Sequence, residues 1–188
     1  MDTKLDGLDL RIINFLHENG RITITDLAEK VKSSRPTVTN RLKRLIADEV
    51  ITVHGGLNLG KFGFKMACVG LEVKNENTRM QVEEILKGCP RVLNFSRTPE
   101  KANIHINLWG EDDQTINSMI ESYRDYPNID VIYTHYLGTP VHGNISINLC
   151  SSCGSDPPCG KNSAECHRYL NGWCRGCPAS EVYKNPLL

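Results

Sequence analysis

The apolar positions in the first 54 residues recur every three or four places, which is the period of an amphipathic helix. Two short helices are predicted before a polar turn, and a third begins at Ser34, whose hydroxyl can cap it. The third helix buries a stripe that includes Val38 and Leu42 and ends near Glu49, and a short strand follows at Val50 to Val53. This order is typical of a winged helix-turn-helix, whose last helix reads the major groove of DNA.

The pattern changes between residues 55 and 149, where strand and helix periods alternate. The elements predicted there are strands at Lys65 to Val73, Val92 to Arg97, Asn103 to Trp109 and Val131 to Leu137, and helices at Thr78 to Lys87 and Asp112 to Tyr126. Their order, β-α-β-β-α-β, is that of a ferredoxin-like domain. We therefore expect an α+β protein with a helix-turn-helix DNA-binding domain at 1–54, a ferredoxin-like dimerisation or effector domain at 55–149 and a small Cys-rich module at 150–188.

Composition limits the class of protein. The chain has 188 residues, 39% of them hydrophobic, and its 22 basic side chains balance 22 acidic ones. No run of about 18 apolar residues is present, so a membrane span is not expected. The first residues lack the basic start and apolar stretch of a secretory signal, which indicates a cytoplasmic, reducing location.

Basic charge is concentrated between Lys32 and Arg44, a stretch that contains no acid. With the apolar stripe of the third helix turned inward, polar and basic side chains remain on its outer face, where they can donate to phosphates and base edges. The residues predicted to bind DNA are Lys32, Ser34, Arg35, Thr37, Asn40, Arg41, Lys43 and Arg44. The alternative is a solvated basic face without a ligand.

Six of the eight cysteines follow the spacing C-x2-C-x5-C-x6-C-x7-C-x2-C near the end of the chain. This segment has too few large apolar side chains to fold without a staple, and two C-x2-C pairs can bring four thiolates to one metal centre. The predicted ligands are Cys153, Cys166, Cys174 and Cys177, with Cys150, Cys159 and His167 as alternative members. Structural zinc and an iron-sulfur cluster both fit four thiolates, whereas disulfides do not suit a reducing compartment.

A family resemblance adds to these patterns. Leu5 to Ile51, which includes Asn19-Gly20-Arg21 and Arg41-Leu42, resembles the helix-turn-helix of the Lrp/AsnC regulators, and the domain that follows, with Trp109 and Tyr126-Pro127, resembles their effector domain. The resemblance implies a homodimer built through the second domain, often assembled further, that binds pseudo-palindromic sites on double-stranded DNA. The Cys-rich segment also resembles small metal-binding modules of archaeal and anaerobic bacterial proteins.

One departure from the family bears on its usual ligand. The family places Gly-x-x-Asp in the turn before the third strand of the second domain, where this chain has Glu100-Lys101-Ala102-Asn103. Loss of the glycine and the carboxylate argues against an amino-acid effector.

An enzymatic alternative comes from the sirohaem decarboxylases, which share this two-domain plan, and His105, His135 and His142 are the residues that could serve such chemistry. No Ser-His-Asp set, phosphate-binding glycine loop or pair of catalytic carboxylates stands out, so an enzyme is not expected. The sequence favours a sequence-specific transcriptional regulator whose DNA binding or assembly responds to a Cys-bound metal or iron-sulfur centre.

Overall fold

The computed structural model describes residues 4–138, 140–143, 145–147, 149, 157 and 160–188. These residues form two compact units, Met1–Gly55 and Gly56–Leu188. None of the helices in the described ranges has the length and apolar character needed to cross a membrane.

The first unit contains three helices, α1 (Gly7–Glu18), α2 (Ile24–Lys30) and α3 (Arg35–Ala47). Each begins at a side-chain cap, supplied by Asp6, Thr23 and Ser34 respectively. Their apolar faces meet in a small core of buried side chains, namely Ile12, Leu27, Ala28, Val31, Val38 and Leu45. The predicted helix-turn-helix is therefore present.

The strand predicted at Val50 to Val53 is absent, and this prediction was wrong. The amides of Val50 and Ile51 donate to the carbonyl of Leu45, at 2.9 and 3.3 Å, instead of to a neighbouring strand. Glu49 has a left-handed backbone, with φ of 54°, which turns the chain back onto the end of α3. These backbone groups end the helix, so they are not available to a strand.

The second unit follows the predicted β-α-β-β-α-β order, with a further short strand at each end and a short helix in the C-terminal segment. Its elements are β1 (Leu57–Asn58), a 3-10 turn (Leu59–Phe62), β2 (Lys65–Val73), α4 (Glu76–Gly88), β3 (Val92–Arg97), β4 (Ile104–Gly110), α5 (Asp113–Arg124), β5 (Ile129–Leu137), β6 (Ser146–Ile147) and α6 (His167–Leu170). Four strands pair antiparallel in the order β3-β4-β2-β5, which is the ferredoxin-like arrangement.

Alternation along the strands decides which face of this sheet is buried. Side chains of β2 and β4 such as Val69, Leu71 and Ile106 pack against Leu86 of α4 and Ile116 of α5. The opposite side chains of these two strands, which include Cys68 and His105, lie on the outer face of the sheet. The sheet is thus covered by helices on one face.

The two-stranded pairing of β1 with β6 joins the start of the second unit to residues near its cysteine-rich end. Leu57 pairs with Ile147 and Asn58 with Ser146. Ile147 lies in a second apolar cluster with Phe64 and the fully buried Trp109. The described residues beyond 147 belong to this same compact unit.

Candidate nucleic-acid interface and cysteine-lined cavity

The exposed face of α3 and the turn before it carry most of the predicted DNA-binding residues. Ser34 begins the helix by accepting a hydrogen bond from the amide of Thr37 at 3.2 Å. Lys32 lies in the preceding turn with a left-handed backbone, φ of 54°. The solvent-exposed members of the predicted set are Lys32, Ser34, Arg35, Thr37, Asn40, Lys43 and Arg44, whereas Arg41 is half-buried.

Arg41 and Arg44 instead bind two carboxylates of α1 and its cap. Arg41 Nη1 lies 2.6 Å from Asp6 Oδ2, and Arg44 Nη2 lies 2.5 Å from Asp9 Oδ2. The Asp9 carboxylate is completely buried and also lies 3.3 Å from Arg41. The pKa of Asp6 is lowered, first by the hydrogen bond from the Asp9 amide and then by Arg41, and Asp6 raises the pKa of Arg41.

These ion pairs divide the basic stretch into two groups. Arg41 and Arg44 hold α3 against α1, whereas Lys32, Arg35 and Lys43 form no ion pair with any residue that the structure describes. The role of Asp9 as a buried partner of these arginines was not predicted from the sequence, although this acid lies beside the apolar stripe of α1. A buried carboxylate requires cationic or hydrogen-bonding partners, so that position indicated that some basic residues would be used internally.

The C-terminal segment is attached to both ends of α5 by ion pairs. Arg175 Nε lies 2.9 Å from Asp112 Oδ2 at the N-terminal cap of the helix. At the other end, Asp125 binds Arg168 and Lys161 at 2.9 and 3.0 Å. A carboxylate at a helix C-terminus is unfavourable to the helix dipole, and these cations offset it. The hydrogen bond from Arg168 is the main cause of the lowered pKa of Asp125.

A buried arginine holds the loop between the last two cysteines. Arg91 Nη1 lies 2.8 Å from Glu111 Oε2, and Arg91 Nη2 donates to the carbonyl of Gly176 at 2.7 Å. The Tyr183 hydroxyl donates to the other oxygen of Glu111. Burial and Glu111 both raise the pKa of Tyr183, with burial the larger cause. Both charges of the Arg91–Glu111 pair are almost completely buried, so each compensates the other.

Between α4, α5 and the C-terminal segment lies a mainly apolar cavity of about 130 Å³. The cysteines that line it are Cys89, Cys166, Cys174 and Cys177. Cys89 caps the C-terminal end of α4, whereas the other three belong to the C-terminal segment. Burial raises the pKa of the Cys174 thiol, although the nearby Arg91 guanidinium opposes this effect.

The predicted metal ligands are thus located in part. Cys166, Cys174 and Cys177 share the cavity, whereas Cys150, Cys153 and Cys159 lie outside the described residues. His167 is exposed and packs edge-on against Trp173, 6.3 Å between ring centres. Within the described ranges, no three His, Cys, Asp or Glu side chains are placed so that they could hold a metal ion. Cys89 was not predicted as a member of this group, because nothing local in its sequence marks it.

The outer face of the sheet carries a second polar cluster. The Tyr133 hydroxyl lies 2.6 Å from His105 Nδ1, and the Tyr133 ring lies edge-on to His135 at 4.9 Å. Gly70 lies beneath the Tyr133 ring, and a Cβ there would overlap the carbon atoms of that ring. Burial is the main cause of the raised pKa of Tyr133, and Cys68 contributes to it.

Known proteins resemble the first unit and part of the second. Residues 5–52 match the family model described as winged helix-turn-helix DNA-binding. The chain is 36% identical to the HTH-type transcriptional regulator Ptr1 of Methanocaldococcus jannaschii over 84 residues, which are 44% of this chain and 54% of that protein. It is 28% identical to the uncharacterized HTH-type transcriptional regulator PF1734 of Pyrococcus furiosus over 136 residues, covering 70% of this chain and 90% of that protein.

The fold agrees with the structure of LrpC from Bacillus subtilis, with a TM-score of 0.62 at 24% identity, over 74% of this chain and 99% of that one. This chain therefore shares its fold with LrpC. It spans about half the length of the first curated relatives that it matches. About a quarter of this chain has no counterpart in the LrpC structure, which covers 74% of it.

Proposed function

We propose that this protein is a sequence-specific transcriptional regulator that binds double-stranded DNA through α3. The observation that carries the proposal is the group of exposed cations Lys32, Arg35 and Lys43 beside Asn40 and Thr37. Cations without internal partners can neutralise phosphates, and the Asn40 amide has the donor and acceptor needed to read adenine. Relatives named as HTH-type transcriptional regulators support the same function.

The DNA-binding form is a homodimer, able to assemble further, that presents α3 twice to a pseudo-palindromic site. The outer face of the sheet supports this state, because α4 and α5 pack on the opposite face from the cluster of Tyr133 and His105. A two-fold axis between sheets would give two reading helices a fixed separation. Light scattering of the purified protein tests the oligomeric state directly.

The cysteine-lined cavity carries the regulatory part of the proposal. A zinc ion or an iron-sulfur cluster bound by the C-terminal cysteines would stabilise the segment, because the free energy of metal binding adds to that of folding. The contact from Arg91 to Gly176 connects the loop of Cys174 and Cys177 to the ferredoxin-like domain. Metal occupancy would therefore change the domain that pairs the subunits, and hence the spacing of the two α3 helices.

An amino-acid effector is not part of the proposal. In the turn that replaces the family's Gly-x-x-Asp, the Asn103 side chain bonds to both backbone groups of Val73, at 3.0 Å each. This amide is used to join two strands.

An enzymatic role on the decarboxylase plan is also not proposed, because His105 and His135 are arranged around Tyr133 on the outer face that the dimer would cover.

Binding to genomic fragments at several salt concentrations tests the DNA interface. Arg35→Ala and Lys43→Ala should each weaken binding and reduce the slope of log affinity against log salt by about 0.9, because each variant leaves one phosphate without its cation. Lys101→Ala, which removes an exposed cation from the turn between β3 and β4, is the matched control and should leave the slope unchanged. Unchanged slopes for both α3 variants would show that this face does not contact DNA.

A second experiment tests the metal. Operator affinity is measured for protein purified without oxygen, before and after removal of metal by a chelator. The proposal expects the two affinities to differ, since the segment loses its staple when the metal is removed. Equal affinities would assign the bound metal a purely structural role.

A further inference from the structure

We propose that the cavity between α4, α5 and the C-terminal segment binds a small uncharged aromatic molecule, about the size of benzene. This site goes beyond the proposed DNA binding, and it does not require a bound metal, because α4 and α5 supply much of its wall. It lies on the helical face of the sheet, opposite to the outer face on which the subunits are proposed to pair.

The size of the cavity sets the size of the ligand. Its volume is about 130 Å³, and apolar cavities of about 150 Å³ in other proteins stay dry and bind benzene or xenon. Side chains that border such a space lack dispersion partners on one side, and a molecule that fits restores those contacts. A single six-membered ring therefore suits this volume, whereas a drug-sized molecule needs about 300 Å³ or more.

The wall of the cavity is built mainly from apolar side chains. Val82, Ile85 and Leu86 come from α4, and Met119 and Tyr123 come from α5. Val82, Leu86 and Tyr123 also belong to the main core of the unit, so packing against the sheet fixes this part of the wall. An apolar ligand would thus leave water for a site whose shape is already formed.

The cations of the described lining are already paired, which sets the charge of the ligand. Arg91 binds Glu111, and both Lys161 and Arg168 bind Asp125. A charged ligand would have to break one of these pairs or enter the apolar space without a counter-ion, and either change is unfavourable. The site therefore selects an uncharged molecule.

The hydroxyl groups of the lining are also used within the protein. Ser118 and Ser122 donate to backbone carbonyls at 2.8 and 2.6 Å, and Tyr169 donates to another at 2.9 Å. Ser163 Oγ accepts a hydrogen bond from a backbone amide at 3.3 Å. A ligand with polar groups would lose its hydrogen bonds to water on entering, whereas a hydrocarbon has none to lose.

The sulfur atoms of the lining favour an aromatic ligand over a saturated one. They belong to Met119 and to four cysteines, Cys89, Cys166, Cys174 and Cys177. Sulfur makes favourable contacts with aromatic rings, often at the ring edge. Benzene would gain such contacts here, and a saturated ring of similar size would not.

The test follows thermal unfolding of the full chain by tryptophan fluorescence, because both tryptophans lie in the second unit. Benzene should raise the midpoint by roughly 3–6 °C at about tenfold excess over Kd, since a ligand that binds only the folded state stabilises it. The measurement is made before and after removal of metal by a chelator, and a rise in either preparation supports the site. No rise in both would overturn the proposal.

Three further probes test the chemical class of the ligand. Benzoate and benzylamine, which carry the same ring with a negative or a positive charge, should leave the midpoint unchanged. Cyclohexane, at a concentration equal to that of benzene, should raise it less. A rise with benzoate or benzylamine equal to that with benzene would refute an uncharged site, and an equal rise with cyclohexane would refute an aromatic one.

A cavity-filling variant locates the binding. Ser122→Phe should remove the response to benzene, because the new ring would occupy the cavity that Ser122 lines. Gln114→Phe, the matched control, places the same ring at an exposed position of α5 outside this cavity and should respond as wild type does. A wild-type response in Ser122→Phe would overturn the assignment to this cavity.

A measurement on the wild-type chain does not depend on the folding of a variant. In the chelated protein, benzene should slow the alkylation of Cys174, which lines the cavity, by several-fold and leave that of Cys68, on the outer face of the sheet, unchanged. Peptide mass spectrometry measures both, and equal rates for Cys174 with and without benzene would overturn the proposal. Normal binding to DNA without any response to benzene would refute this site and leave the proposed regulator intact.

Discussion

The basic stretch of α3 and the C-terminal segment look alike in charge, but the structure uses their cations differently. In α3, Arg41 and Arg44 bind carboxylates of the first unit, and three other cations remain exposed. In the C-terminal segment, Lys161, Arg168 and Arg175 all bind the carboxylates at the two ends of α5. A count of charges along the chain cannot separate available cations from occupied ones, because the deciding carboxylates come from other elements.

The most deeply buried ion pairs of the two units also differ in how far their cations are exposed. The Arg91 and Glu111 side chains are 4% and 1% exposed, whereas Arg44 is 41% exposed and only its partner Asp9 is fully buried. An exposed guanidinium can return to water when its partner is removed, but a buried one cannot. The comparison therefore predicts a graded set of mutational effects.

The largest effect is expected for Arg91→Met, which leaves Glu111 buried without its cation. The second unit should lose about 3–5 kcal/mol of unfolding free energy. Both tryptophans, Trp109 and Trp173, lie in this unit, so fluorescence during denaturation reports on it alone. The double variant Arg91→Met with Glu111→Leu should recover much of the loss, and a loss equal to that of the single variant would contradict this account.

A smaller effect is expected for Asp9→Ala, since both of its arginine partners can be hydrated. The hydrogen bonds of a buried carboxylate to charged donors predict a loss of about 1.5–3 kcal/mol from the first unit. Hydrogen exchange of α1 and α3 measures it without interference from the second unit. Glu29→Ala, which removes an exposed acid of the same unit, serves as the control for removal of a negative charge.

A comparison of Arg44→Ala with Lys43→Ala tests the difference between the paired and the unpaired cations of α3. Arg44→Ala should destabilise the first unit but reduce the salt slope of DNA binding by less than the ~0.9 expected for one phosphate contact. Lys43→Ala should do the reverse, with stability unchanged. If the two variants behave alike in both measurements, the division of the basic stretch into two groups is wrong.

The smallest effect concerns the pH dependence of the α1 cap. The pKa of Asp6 is lowered in the folded chain, chiefly by the hydrogen bond from the Asp9 amide. The stabilisation of the folded state by the ionised Asp6 is therefore fully present above its unfolded pKa of about 3.9. That contribution is lost as the pH falls through the folded pKa. Asp6→Asn keeps a capping side chain, and its stability should depend less on pH below about 4. A pH series of thermal unfolding measures the difference.

The regular elements were predictable because period and capping are local properties of the sequence. The strands and helices of the ferredoxin-like domain lie close to their predicted bounds, and Ser34 caps α3 as expected. The absence of a strand after α3 was not predictable, because the amides of Val50 and Ile51 are used at the end of that helix. An apolar run in a short segment does not reveal which backbone groups are already bonded.

The candidate sites depended on contacts between distant parts of the chain. The metal-type spacing of the C-terminal cysteines was visible, but Cys89 is marked only by the cavity it shares with them. The pairing of Arg41 and Arg44 with a buried carboxylate likewise required knowledge of Asp9. Local pattern identifies the residue types that a function needs, and tertiary packing selects which of them are free to act.

The short pairing of β1 with β6 fixes two parts of the chain against each other that lie far apart in the sequence. Gly56 lies so close to Ser146 that a Cβ there would approach the Ser146 Cβ to 2.8 Å. Residue 56 follows directly on the first unit, and residue 147 leads toward the cysteine-rich segment. A displacement of Ile147 would therefore be passed to Leu57, which lies two residues after the end of the first unit.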